Sequence, residues 1–181
     1  NFVANGSFRR IFDIAANNLL LKTAASINNA NEVRFIRTNG LQSAGGLTKE
    51  FSSTSFTFPV GTTNSWKFTP ATISFSVAPT TYGRITVRPV NAQQPAVTTN
   101  GKALQYYWRV TGADFVLGSA QVSQVFTYAE ADAPANQANY VPAYIDFADI
   151  VWTVGATSAV DEVNNTITFS GPGFGNKISG E

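Results

Sequence analysis

Apolar and polar residues alternate with a period of two along much of this chain, and that alternation restricts it to β-structure. Ile73, Phe75 and Val77 alternate with Thr72, Ser74 and Ser76, and Ile85 and Val87 alternate with Arg84, Thr86 and Arg88. Val122 is followed by Val125, Phe126 and Tyr128, and Val163, Ile167 and Phe169 bracket Thr166 and Thr168. Such a period sets one row of side chains against a core and the other toward water. The runs end at turn-forming pairs such as Asn39-Gly40, Ala78-Pro79 and Asn100-Gly101. Helical character is confined to residues 11–22, where Asn17-Asn18 interrupts Ala15-Ala16 and Leu19-Leu20-Leu21; the leucines read equally well as a short buried strand. The expected fold is all-β: an antiparallel β-sandwich over residues 61–181, preceded by a set of short strands in residues 1–60.

The first sixty residues follow a different rhythm. Apolar clusters at residues 8–14, 19–21, 33–36 and 47–51 are separated by Asn-rich or Gly-rich corners, at intervals of about 12 to 15 residues. That spacing fits the rungs of a small solenoid, each unable to bury its apolar face alone. It fits ordinary meander strands equally well. Phe58-Pro59-Val60-Gly61 marks the boundary, with Pro59 ending a strand and Gly61 supplying a permissive turn. Pro70 cannot donate to a ladder, so it starts a strand or sits on an edge. Tyr106, Trp108 and Val110 share one strand face, expected to be the core face, which leaves Tyr107 and Arg109 on the other.

The missing residue types narrow the function. Among 181 residues there is no Cys, no Met and no His. Without Cys there are no disulfides, thiol nucleophiles or thiolate metal sites. Without His the commonest general base and the commonest zinc ligand are gone. A serine nucleophile would need a lysine base, and no local signature supports one. Charged residues make up 13%, about half the usual share, and Thr, Ser, Asn and Gly fill the surface. The net charge is +1 and the basic residues are scattered, Arg9-Arg10 being the only adjacent pair, so nucleic acid is not an expected partner. No run reaches the roughly 18 apolar residues of a membrane span. The chain starts at Asn1, and it reads as an internal fragment of a longer secreted, bacterial precursor.

Several segments, taken in order, resemble a repeated β-rich module of very large secreted surface proteins of the Bacteroidetes type, cargo of the type IX secretion route that includes gliding and adhesion proteins. They are Arg37-Thr38-Asn39-Gly40, Gly45-Gly46-Leu47-Thr48-Lys49, Phe56-Thr57-Phe58-Pro59-Val60-Gly61 and Phe68-Thr69-Pro70. Tyr82 through Asn91, Tyr106-Tyr107-Trp108-Arg109-Val110, Ile167-Thr168-Phe169-Ser170-Gly171 and Ile178-Ser179-Gly180-Glu181 complete the likeness, over roughly residues 33–181. The resemblance implies the cell surface, repetition within a long chain and a structural or adhesive role. It implies no catalytic residue.

Three groups of side chains are candidates for chemistry. The carboxylate pairs Asp146/Asp149, Asp161/Glu162 and Glu130/Asp132 are the available acid–base machinery, although turn capping and solvated loop charge are the favoured account of them. Glu130, Asp132, Asn136 and Asn139 offer oxygen ligands to calcium, although the EF-hand pattern is absent. Trp66, Tyr82 and Tyr107 are candidates for stacking on sugar rings. Gly171-Pro172-Gly173-Phe174-Gly175 lacks the lysine and setting of a phosphate loop and reads as a turn. The expected function is a non-catalytic structural or adhesive module, whose partners are neighbouring modules of the same chain or copies of itself. A carbohydrate-binding module and a subunit of a homopolymeric extracellular filament are the alternatives.

Overall fold

The computed structural model describes residues 9–43, 45–62, 66–99, 103–133, 140–146, 152–153, 158–171 and 174–181. Its N-terminal strands are β1 (Phe12–Ala15), β2 (Leu19–Leu21), β3 (Ile36–Thr38), β4 (Leu47–Glu50), β5 (Ser55–Phe58) and β6 (Val60–Gly61). β1, β3 and β6 lie side by side in parallel, and β2 pairs in parallel with β4. Phe12 faces Ile36 and Ile36 faces Val60, a step of 24 residues each time. Leu19 faces Leu47, a step of 28. Each rung therefore consumes two apolar clusters, so the spacing seen in the sequence is half a rung. Of the two arrangements open from sequence, the stacked one forms.

The corner after β1 shows why residues 11–22 make two strands rather than a helix. Asn17 and Asn18 use their side chains on backbone groups: Asn17 Nδ2 donates to the Ile14 carbonyl at 3.1 Å, and Asn18 Oδ1 accepts the Gly46 N–H at 3.0 Å. Such local bonds compete with helical ones. Ala15 takes a left-handed φ of 49° to turn the chain. The next rung then seats on this corner, Gly45 N–H reaching the Ala16 carbonyl at 2.9 Å. A Cβ on Gly45 would lie 2.0 Å from the Asn17 carbonyl oxygen, so only glycine permits the approach.

The remaining strands are β7 (Ala71–Phe75), β8 (Arg84–Val90), β9 (Tyr107–Ala113), β10 (Val122–Thr127), β11 (Tyr144–Ile145), β12 (Trp152–Thr153), β13 (Ser158–Asp161) and β14 (Thr166–Phe169). An antiparallel sheet in the order β13-β14-β10-β7-β5 packs on a second sheet in the order β2-β4-β8-β9. The rings of Trp108 on β9 and Phe126 on β10 meet between them, with centroids 5.0 Å apart. β4 pairs antiparallel with β8, so the parallel stack runs directly into the sandwich. β6 spans residues 60 and 61, and one buried cluster runs from Ile14 to Phe174 across that point. Each fully buried Leu, Ile, Val or Phe in it contributes roughly 1.5–3 kcal/mol of transfer free energy.

Alternation holds where it was read. β7 and β10 bury every second residue, and Tyr106, Trp108 and Val110 all join the core. Trp108 satisfies its indole N–H on the Thr69 carbonyl at 2.9 Å. Four details differ. Val77, read in the same row as Ile73 and Phe75, lies beyond the end of β7 and is exposed. Tyr107 is buried as well, so both residues of the Tyr107-Trp108 pair are covered. Val163 is exposed, in a turn closed by the Asp161 carboxylate, whose Oδ1 accepts the Val163 and Asn164 N–H groups at 3.0 Å each. In β10 the inward row is Val122, Gln124 and Phe126, and Val125 points away from the core. The chain then returns to close the second sheet: Gly180 exchanges backbone bonds with Val110, and Glu181 with Ile145. Asn100-Gly101 lies outside the described residues.

Candidate functional site

The first rung leaves large apolar side chains uncovered. Phe12, Ile36 and Val60 occupy the same register position in three successive parallel strands. Their exposures are 53%, 3% and 0%. Phe12 stands in register with the buried Ile36, so among the described residues it is the uncovered end of that row. Leu20 on β2 is exposed as well. Among the described residues, β1 and β2 each pair on one side only.

The flank of this rung carries a polar ladder. Asp13 of β1 faces Arg37 of β3 in register, and the Arg37 guanidinium is ion-paired with the Asp13 carboxylate. The hydrogen bond from Arg37, and then the N–H of Ala15, hold the Asp13 carboxyl below its ordinary range. The guanidinium also lies over the ring of Trp66, 3.9 Å from its centroid. Trp66 is 42% exposed and has a left-handed φ of 53°. One of its ring faces is thus taken by a cation, an arrangement worth about 0.5–1 kcal/mol at an exposed site.

Lys49 on β4 fixes the loop between the first two rungs. Its side chain falls on the face of Leu47 and Phe51, and the residue is 4% exposed. The ammonium donates to the carbonyls of Lys22, Thr23 and Ala25 at 2.7, 2.7 and 2.8 Å. All three protons have an acceptor, which is the condition for burying an ammonium without a carboxylate. Burial lowers its pKa. The sequence carried a signal for this residue, a lysine at period-two spacing between Leu47 and Phe51.

The candidate sugar-stacking residues do not converge. Tyr82 is half-buried against the core and Tyr107 is buried. Tyr82 precedes Arg84, which faces Ala113, whereas Tyr107 faces Val90 at the other end of the β8–β9 ladder. At about 3.4 Å per residue those ends are roughly 20 Å apart. Trp66 is the one of the three with a large exposed ring surface.

No family model, curated protein or solved structure matches the chain. Its chemistry is therefore read from its own side chains.

Asp132, Asp146 and Asp161 are engaged one by one. Asp132 sits in a 3-10 turn at Glu130–Asp132, and its Oδ1 is ion-paired with Lys67. Asp146 is paired with Lys177 at 2.5 Å. Asp161 closes the β13–β14 turn, and the bonds from Asn164 hold its carboxyl below the ordinary range. Asn136, Asn139 and Asp149 lie outside the described residues. Among the described residues, no three or more carboxylates gather where they could hold a metal ion.

Proposed function

We propose that this chain is a non-catalytic structural module of a secreted cell-surface protein, joined end to end with neighbouring modules of the same protein. The observation that carries the reading is the exposure gradient across Phe12, Ile36 and Val60. A parallel stack whose first rung is half-covered suits a further rung on that side, since solenoid ends otherwise need a polar cap. Covering Phe12 would add about 1–1.5 kcal/mol, half the value of a fully buried phenylalanine. The low charge content, the absence of His and Cys and the resemblance to repeated surface modules support the same reading.

A carbohydrate-binding role rests on Trp66 and its free ring face, and a filament role on self-pairing at the same open rung. Both are separated from the module reading by one pair of measurements. Sedimentation velocity at micromolar concentration should show a monomer, because β1 and β2 are short edges and make poor templates for self-pairing. Tryptophan fluorescence should be unchanged on adding soluble polysaccharides. Concentration-dependent growth would replace the module reading by the filament one. Quenching that disappears in Trp66→Ala would replace it by the carbohydrate one.

A further inference from the structure

Among the described residues, the core of the sandwich is not filled at one end. Between β9 of one sheet and β10, β13 and β14 of the other lies a cavity of about 860 Å³. That is within the range of sites that take drug-sized ligands, and far above the void that close packing leaves inside a small domain. Its walls are mostly apolar and aromatic, with Trp108, Phe126, Tyr144, Val160, Ile167 and Phe169 among them.

Among the polar groups at the wall, the two that are buried without a partner are acceptors. Gln124 lies on the inward row of β10 and is 0% exposed. Its Nε2 donates to the Lys177 carbonyl at 3.1 Å, while its Oε1 is buried without a partner. Asp132 also lines the cavity, and beyond its Lys67 pair its Oδ2 is buried without a partner. The Tyr106 hydroxyl accepts the Ala129 N–H at 2.9 Å, which leaves its own proton to donate. A buried unpaired acceptor is destabilising, and a ligand carrying a hydroxyl proton would satisfy it.

We propose that this cavity is a binding site for a neutral, largely apolar alcohol, whose chain or ring lies against the aromatic wall and whose hydroxyl donates to Gln124 Oε1. A carboxylate of the same length is a poorer fit. It has no proton to offer at neutral pH, so Gln124 Oε1 would stay unpaired and face a second acceptor. An amine gains little from Asp132, because Lys67 already neutralises that carboxylate.

The probes are 1-decanol and decanoate, compared by isothermal titration and by thermal melting at pH 7. Decanol should bind saturably at one site per chain and raise the melting temperature, with decanoate at least tenfold weaker. Gln124→Leu keeps the side-chain volume and deletes the acceptor, so it should weaken decanol about tenfold. Should that variant not fold, Val160→Trp on the edge strand β13 fills the cavity and should abolish binding while leaving the circular dichroism unchanged. The proposal is overturned if decanoate binds as tightly as decanol, or if decanol gives neither heat nor a melting shift up to its solubility limit. It is equally overturned if decanol affinity is unchanged in the folded variants.

Discussion

Lys49→Met is the substitution that most directly probes how the stacked rungs are held. Methionine keeps the length of the stem and its contact with the apolar row, and removes only the ammonium. Three charge-assisted hydrogen bonds to Lys22, Thr23 and Ala25 are then lost. Each is worth roughly 1.5–3 kcal/mol, but the ammonium no longer has to be desolvated, and that offsets a large part of the sum. A net loss of about 2–4 kcal/mol is expected. For a domain of this size that lowers the melting temperature by about 4–16 °C, at 2–4 °C per kcal/mol. Urea titration followed by circular dichroism measures it, and the m-value should be unchanged if the unfolded state is unaffected. The loop between β2 and β3 should also become more susceptible to proteolysis. A loss below about 0.5 kcal/mol would mean that water replaces the ammonium at no cost, and the reasoning would fail.

Three further outcomes follow from the same contacts. Gly45→Ala puts a Cβ 2.0 Å from the Asn17 carbonyl oxygen and should cost about 1–3 kcal/mol in urea unfolding; a neutral result would show that the corner after β1 yields freely. The carboxyl of Asp13 has a folded pKa below its unfolded value of 3.8, so its stabilisation is present above about pH 4 and is lost as the pH falls through the folded value. Asp13→Asn should flatten the acid limb of the stability curve, and an unchanged limb would contradict the pairing with Arg37. Tyr106 is pushed up to about 12 by burial and Tyr144 is raised further, so their stabilisation is intact below pH 10 and is lost as the pH rises toward 12 and beyond. Ultraviolet titration should show neither ionising before the circular dichroism collapses; complete ionisation of all six tyrosines near pH 10 in the folded protein would refute their burial.

The parts of the fold that were legible in the sequence are those fixed by local alternation. β7 and β8 follow from Ile73/Phe75 and Ile85/Val87, and the core role of Trp108 follows from its spacing to Tyr106 and Val110. The rung spacing was legible too, but not its meaning. Whether clusters half a rung apart pair as neighbours or stack in parallel depends on contacts 24 or 28 residues apart, which no local pattern encodes. Burial of polar side chains was hidden for a related reason. Lys49 and Gln124 lie on inward rows, and their acceptors or donors come from distant segments, residues 22–25 and Lys177. Val163 was misread because an apolar residue at a strand end looks the same in sequence as one in the turn beyond it. The open first rung was not legible at all, since Phe12 differs from Ile36 and Val60 in what stacks on it, not in its own chemistry.

The joining of modules at that rung is tested most directly by amide hydrogen exchange in β1 and β2. The 181-residue chain alone should be compared with a tandem protein in which a second copy of it is fused ahead of Asn1. The amides of residues 12–15 and 19–21 should exchange at least tenfold more slowly in the longer protein, and Phe12 should become inaccessible to solvent probes. Equal exchange in the two proteins would contradict the account, because the open rung would then have no neighbour to receive.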